Sequence, residues 1–363
     1  MPGMDMPAAL GQRKGRGAAS NYSGRFETEK RMPFDDGWST ADEEPVPLAT
    51  TLSVDSTRAI IARNDSPDIG FDRSINPYRG CEHGCIYCYA RPSHAYLGLS
   101  PGLDFESRLF YKPRAASLLA EELRKKGYSC RPIALGSNTD PYQPAERKLG
   151  ITRAILEVLR DFRHPVTIVT KSALIQRDLD ILGEMARDRL AMAAISITTL
   201  DRRLARVMEP RAATPERRLE TIAALAATGV PAAVMSAPII PALNDGEMEH
   251  ILERARAAGA ASAAYTLLRL PLELKALFKE WLEAHFPNKA AHVLSLVAQT
   301  HGGRLYDSTW SKRMTGTGPY AEVLRLRFER ACRRLGFNER TTQPLDTSRF
   351  LPPPQKGDQL ALF

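Results

Sequence analysis

Asn76-Pro-Tyr-Arg-Gly-Cys81-Glu-His-Gly-Cys85-Ile-Tyr-Cys88-Tyr89 gathers Cys81, Cys85 and Cys88 into one short segment, with a glycine just ahead of each of the first two. Gly80 and Gly84 let the backbone turn tightly, so three thiolates can converge on one centre. Thiolates are soft donors that suit either an iron–sulfur cluster or zinc. Three of them on a four-iron cluster leave one iron open to a further ligand. A structural zinc site needs a fourth protein ligand, for which His83 and His94 are the candidates. The residues alone leave both readings open. The two other cysteines, Cys130 and Cys332, are distant and unpaired in the pattern, which is not a secreted disulfide framework.

Behind this segment, short apolar runs alternate with amphipathic ones as far as about residue 285. The runs predict strands at 133–136, 166–170, 191–198, 232–237 and 263–268, with a first strand just ahead of Cys81. Helices are predicted between them at 114–126, 146–162, 174–188, 215–228 and 246–258. The fourth is punctuated at both ends: Thr214 as N-cap, Pro215 at the first helical position, Gly229 as the stop. Leu219, Ile222 and Ala226 recur on one of its faces. Strict alternation implies a parallel sheet with right-handed crossovers. The fold class expected is α/β, a partial (βα)6 barrel, with its site at the C-terminal ends of the strands.

The flanks read differently. Residues 1–56 offer little core and are expected to form a flexible arm, with Tyr22, Phe26 and Trp38 as ordering points. After the barrel (57–285) comes a helical extension, 286–350. Its last helix, near 320–335, sets Leu324, Phe328, Ala331 and Leu335 on one face and Arg325, Arg330, Arg333 and Arg334 on the rest. Residues 351–363 begin Pro-rich and read as an extended tail.

Lysine and arginine exceed aspartate and glutamate, 50 to 42, a formal charge of +8. That excess suits polyanions such as nucleic acid without requiring one. No apolar run approaches the roughly 18–20 residues of a membrane span, and the N-terminus lacks the apolar centre of a secretory signal. A cytoplasmic location with no membrane partner is the expectation.

The C-x3-C-x2-C spacing, with Tyr87 before the last cysteine, resembles the signature of the radical S-adenosylmethionine superfamily. That resemblance implies a [4Fe–4S] cluster on Cys81, Cys85 and Cys88, with S-adenosyl-L-methionine chelated at the open iron and cleaved reductively to a 5′-deoxyadenosyl radical. It also implies cofactor contacts from Tyr87, through its backbone, and from polar residues at the strand ends. Those are Ser137, Asn138, Thr139 and Asp140 after the second strand, Thr170 and Lys171 after the third, Ser196 and Thr198 on the fourth, and Arg211 beyond it. Ser, Thr, Asn and Asp at such places also serve as ordinary helix caps and turns.

The longer string Arg63 to Cys81, with Asp104-Phe-Glu and Thr139-Asp-Pro-Tyr-Gln-Pro, resembles a bacterial group described as DNA-repair-photolyase-like. Spore photoproduct lyase is its best-understood relative. This implies a lyase-like enzyme of DNA repair or base modification, supplied with electrons by a donor such as flavodoxin or ferredoxin. One departure stands out. The lyase has a hydrogen-donor cysteine where this chain has Ser137, whose O–H bond is too strong to quench a carbon radical. Cys130, Tyr142 and Tyr89 are the remaining candidate donors. Gln359-Leu-Ala-Leu-Phe363 is similar to the peptide by which bacterial repair proteins dock on the DNA sliding clamp. Two other readings stay open: radical chemistry on RNA, a peptide or a small metabolite, and a non-enzymatic, metal-stabilised nucleic-acid- or clamp-binding module.

Overall fold

The computed structural model describes residues 14–29, 48–338 and 344–354. Trp38 and the Gln359–Phe363 peptide lie outside them. Six strands, β1 (Arg73–Ile75), β2 (Ile133–Leu135), β3 (Val166–Thr170), β4 (Ala191–Ser196), β5 (Ala232–Ile239) and β6 (Ser262–Leu267), pair in parallel in chain order. Ala62–Arg63 adds an antiparallel edge beside β1. Strands paired in sequence through crossovers of one hand place their helices on a common face and leave the other for a site. The sheet is open between β6 and the β1 edge, as a partial barrel requires.

The covering helices are α1 (Ala115–Leu123), α2 (Ile151–Asp161), α3 (Leu179–Arg187), α4 (Pro215–Ala227), α5 (Met248–Ala257) and α6 (Leu274–His285). Ile133, Val166, Ile168, Ala193, Ile195 and Val234 from the strands pack with Leu119, Ile155, Leu156, Leu182, Ile222 and Leu252 from the helices in one core. α4 is capped as its sequence predicts: Arg217 N–H donates to Thr214 Oγ1 at 3.4 Å, and Gly229 leaves the helix at φ +82°. Its buried stripe runs Leu219, Ile222, Leu225, with Ala226 at the margin.

Two predicted helices are each broken. Gly150 takes a left-handed conformation (φ +64°) that splits 146–162 into a turn at Glu146–Leu149 and α2. Ala173–Asp178 forms a 3-10 turn ahead of α3.

Two further helices, α7 (Pro287–Thr300) and α8 (Pro319–Leu335), make the C-terminal extension. Leu324, Phe328 and Ala331 of α8 are buried, and Phe328 meets the Tyr265 ring at 4.7 Å. Of the predicted arginine face, Arg325 pairs with Glu322 and Glu329 and Arg334 with Glu253 at 2.6 Å, while Arg330 and Arg333 are exposed; Arg327 also bonds Glu249, at 2.7 Å. Residues 344–354 run along the N-terminal ends of the strands. There Leu351 N–H donates to Phe162 O at 3.0 Å and Phe350 sits between Tyr128 and His164.

The N-terminal segment departs from the expected flexible arm, because residues 14–29 are built into the body. Gly17 and Ala18 donate their N–H groups to the Glu106 carboxylate at 2.9 Å each. Asn21 and Asp104 exchange bonds at 3.0 and 2.9 Å. Ser20 donates to Glu280 on α6 at 2.6 Å, and Arg25 pairs with Glu273 at 2.9 Å. The Phe26 ring, largely exposed, lies 5.2 Å from that of Tyr96. Polar pairing holds this stretch, so its low apolar content hid it.

Candidate cofactor site

The cysteine loop leaves the C-terminal end of β1, and long-range bonds fix its path. Cys81 N–H donates to Phe105 O at 2.9 Å, and Ile86 N–H donates to Met208 O at 3.0 Å. Gly80 (φ +77°) and Gly84 (φ +69°) make the turns that the sequence requires of them. A Cβ on Gly17 would stand 1.9 Å from Gly84 O, so the N-terminal segment lies directly on the loop.

Beneath the loop is Arg91, fully buried. Its guanidinium donates to the carbonyls of Cys85 (2.9 Å), Gly84 (3.1 Å), Pro101 (3.1 Å) and Gly102 (3.0 Å), and to the buried Glu106 carboxylate. One side chain thus ties loop carbonyls to the acid that also holds the N-terminal segment. The Asp104-Phe-Glu string is thereby explained: Asp104 meets Asn21, Phe105 packs edge-on to His94, and Glu106 is the hub.

Cys81 and Cys85 are buried and Cys88 is half-buried. Burial pushes all three thiols up from their ordinary range, and they are near enough for charge on Cys85 or Cys88 to raise Cys81 further. Bound iron reverses that preference, because a coordinating thiol is deprotonated outright. Single-ion chemistry fits the donors less well. Among the described residues no three His, Cys, Asp or Glu groups converge on one ion position. His83 is paired through Nδ1 with Asp140 at 3.3 Å, and the His94 Nε2 position faces Arg108 O at 2.9 Å. Three thiolates on separate corners of a four-iron cube stand farther apart than three ligands of one ion. The all-sulfur loop therefore suits the cluster.

Around the loop the strand ends form a connected polar rim, and the predicted residues take unequal parts. Asp140 is the organiser: it accepts from Thr170 Oγ1 (2.7 Å), Lys171 N–H (2.8 Å) and Tyr142 N–H (2.9 Å), besides pairing with His83. Burial alone would raise its pKa. The His83 ring and these hydrogen bonds outweigh burial and bring it down to about 2. A carboxyl depressed from 3.8 stabilises the fold above about pH 4 and loses that contribution as pH falls toward 2. Asp140→Asn is expected to cost about 2 kcal/mol at neutral pH and to flatten the acid limb of stability against pH. Thermal unfolding from pH 6 to 2 checks this; superimposable acid limbs would refute it.

Asn76, which sequence reasoning passed over, holds the turn after β2. Its Oδ1 accepts from Asn138 N–H (2.9 Å) and Thr139 N–H (3.2 Å), and its Nδ2 donates to Ser137 Oγ (3.1 Å). Thr139 is buried on Tyr78 O, at 2.9 Å, while Asn138 is exposed. On β4 and beyond, the Tyr87 hydroxyl meets Thr198 Oγ1 at 3.2 Å and also Glu209, and Thr198 Oγ1 donates to Glu209 at 2.7 Å. Buried Arg218 clamps Glu209 and donates to Ser196 O at 3.0 Å. Lys171 stands over the Tyr87 ring at 5.7 Å, and its charge reaches Cys85 and Cys88. Arg211 pairs with Glu82 of the loop at 3.3 Å.

Two predicted hydrogen donors are not at this rim. Tyr142 is fully buried with its hydroxyl on Asp178 at 3.1 Å, turned into the core by the tight turn that gives its N–H to Asp140. Cys130 precedes β2, at the N-terminal end of the sheet opposite the cysteine loop. Tyr89 does stand at the rim, 43% exposed, with its hydroxyl on Ser137 O. Across the open side of the barrel, Asp68 ahead of β1 grips Arg313 beyond β6, with Arg313 Nε at 2.8 Å. Leu267 N–H donates to Met314 O at 2.8 Å, joining that segment to the end of β6.

The comparisons with known proteins agree with this geometry. The Radical SAM superfamily profile matches residues 75–255, from the end of β1 into α5. An uncharacterised protein of Mycobacterium tuberculosis is 38% identical over 219 residues, which span 60% of this chain and 64% of that relative, slightly less than two thirds of its length. An uncharacterised protein of Methanocaldococcus jannaschii is 28% identical over 213 residues, 59% of this chain and 76% of that one. Among solved structures, spore photoproduct lyase complexed with dinucleoside spore photoproduct aligns over 78% of both chains with a TM-score of 0.54 at 15% identity, a likeness of fold. The superfamily implies an enzyme with a [4Fe–4S] cluster and S-adenosylmethionine, and the cysteine loop and polar rim are the parts that fit them. Through residues 75–255, this chain belongs to the radical SAM superfamily.

Proposed function

We propose that this protein is a radical enzyme acting on DNA, in lyase-like repair or base modification. Cys81, Cys85 and Cys88 would hold a [4Fe–4S] cluster that, reduced by a donor such as flavodoxin or ferredoxin, would supply the electron for reductive cleavage of S-adenosylmethionine. The chain's own residues do the rest. Cys81, Cys85 and Cys88 ligate, Lys171 offers a cation beside the loop, and Asp140 and Glu209 keep the strand ends in place. The observation that carries the DNA reading is the mouth of the site. Exposed Tyr89, with the Arg269 guanidinium 4.6 Å from its ring centroid, borders it, in a chain with a charge of +8. The fold it shares with the lyase and the clamp-like Gln359–Phe363 peptide support the same direction.

The test is hydrogen transfer. With anaerobically reconstituted protein, reductant and cofactor, oligonucleotides carrying deuterated thymine or its photoproducts are expected to stimulate 5′-deoxyadenosine formation and to pass deuterium into it. Stimulation by RNA of matched sequence, with none by any DNA, would overturn the DNA reading while leaving the radical chemistry intact.

A further inference from the structure

β6 ends at Leu267 and is followed by Leu268-Arg269, which carries a guanidinium off the C-terminal end of the sheet. Its carbon lies 4.6 Å from the centroid of the Tyr89 ring, next to the last cysteine of the loop. Arg269 is half-buried on the rim, yet it is poorly matched there. Its Nη1 faces only the Met314 thioether at 3.3 Å, a weak acceptor, and its Nε is buried with no partner. Two fully buried guanidiniums of this protein, by contrast, are supplied with oxygen. Arg91 has four carbonyls and Glu106; Arg218 has Glu209 and two carbonyls. Leaving a charged donor buried and unmatched costs stability unless something arrives to fill it.

The neighbouring cations have other duties. Arg313, whose charge also reaches Tyr89, is neutralised by Asp68. Lys171 lies over Tyr87, and its charge reaches Cys85 and Cys88. The charge of Arg269 reaches Tyr89, the residue after Cys88. Lys171 is thus placed against Tyr87 between the cluster cysteines, and Arg269 against Tyr89 after the last of them. Tyr89, 43% exposed, stands on this rim, and the neighbouring segment that carries Arg313 is tied by Ser311 N–H to Asp68 at 3.0 Å. An exposed aromatic side chain beside an uncompensated cation suits a nucleic-acid strand, whose bases can stack and whose phosphate can pair with the guanidinium fork.

We propose that Arg269, stacked on Tyr89, receives a phosphodiester of the substrate strand. This rests on the nucleic-acid reading above and deepens it; DNA and RNA share the group recognised. The probes are a fluorescent single-stranded DNA, an RNA of the same sequence and a polyaspartate peptide. Each is titrated by anisotropy over a salt series into reconstituted wild type, Arg269→Gln and Arg269→Lys, and cofactor affinity is measured alongside. Arg269→Gln is expected to weaken nucleic-acid binding about tenfold and to lower the salt slope by about one. Arg269→Lys should restore the slope but only part of the affinity, because an ammonium lacks the fork. Cofactor affinity should hold.

Arg269-dependent binding of RNA but not DNA would overturn the DNA reading and leave this inference standing. The inference itself falls if the Gln variant binds like wild type or loses cofactor affinity. It also falls if only polyaspartate depends on Arg269, or if wild type binds none of the three probes.

Discussion

Cys85→Ala is expected to abolish 5′-deoxyadenosine formation and to leave the chain with little of its iron. Cys85 is the middle ligand of the loop, buried and held by the Arg91 bond to its carbonyl. With alanine there, two thiolates remain for a four-iron cluster. A second iron then loses its protein ligand inside a pocket that offers no other sulfur in the loop. The substitution removes one sulfur from a site where burial already disfavours free thiolates, so the fold itself has little reason to weaken. Iron and sulfide analysis, the visible absorption of the cluster, and product formation under reducing anaerobic conditions check the prediction. Circular dichroism separates loss of cluster from loss of fold. Full product formation by Cys85→Ala would remove the cluster from the mechanism. Zinc without iron in the wild type would favour the non-enzymatic reading instead.

Much of this site was legible because its signals are local. Cys81, Cys85 and Cys88 announce themselves by spacing, and β2 to β6 by short apolar runs between amphipathic ones. Thr214, Pro215 and Gly229 mark the ends of α4 as their chemistry dictates. What escaped notice acts through space. Arg91 and Glu106 are fifteen residues apart, and Glu106 meets Gly17 and Ala18 across nearly ninety. Nothing in a charge pattern says which arginine will be buried under a loop. Asn76 reads as the start of a turn until its carboxamide is seen to hold Asn138 and Thr139. Tyr142 shows the converse error. It is close to Asp140 in sequence, but a tight turn sends its side chain to Asp178 in the core.

The Arg91–Glu106 pair yields the largest expected effect on stability. Arg91 and Glu106 are both fully buried, and between them they engage Gly84, Cys85, Pro101, Gly102, Gly17 and Ala18. Arg91→Met keeps the apolar stem but strands the Glu106 charge and four carbonyls, and it is expected to cost about 3–5 kcal/mol. Glu106→Gln leaves Arg91 without its carboxylate, but it retains an acceptor for one of the two N–H groups and Arg91 keeps its four carbonyls, so it should cost less than the arginine change. The double variant Arg91→Met/Glu106→Gln should then be more stable than the sum of the singles by about 1–3 kcal/mol, because neither charge is left alone. Denaturant unfolding of the three variants measures the cycle. Proteolysis within residues 14–29 and iron retention report where the loss is felt, since Glu106 fastens that segment directly onto the cysteine loop. An Arg91→Met cost within about 0.5 kcal/mol, the range of an ordinary surface change, would mean that the pair does not anchor the loop. Retention of the N-terminal segment and of the iron would then have to rest on Asn21–Asp104 and Ser20–Glu280 instead.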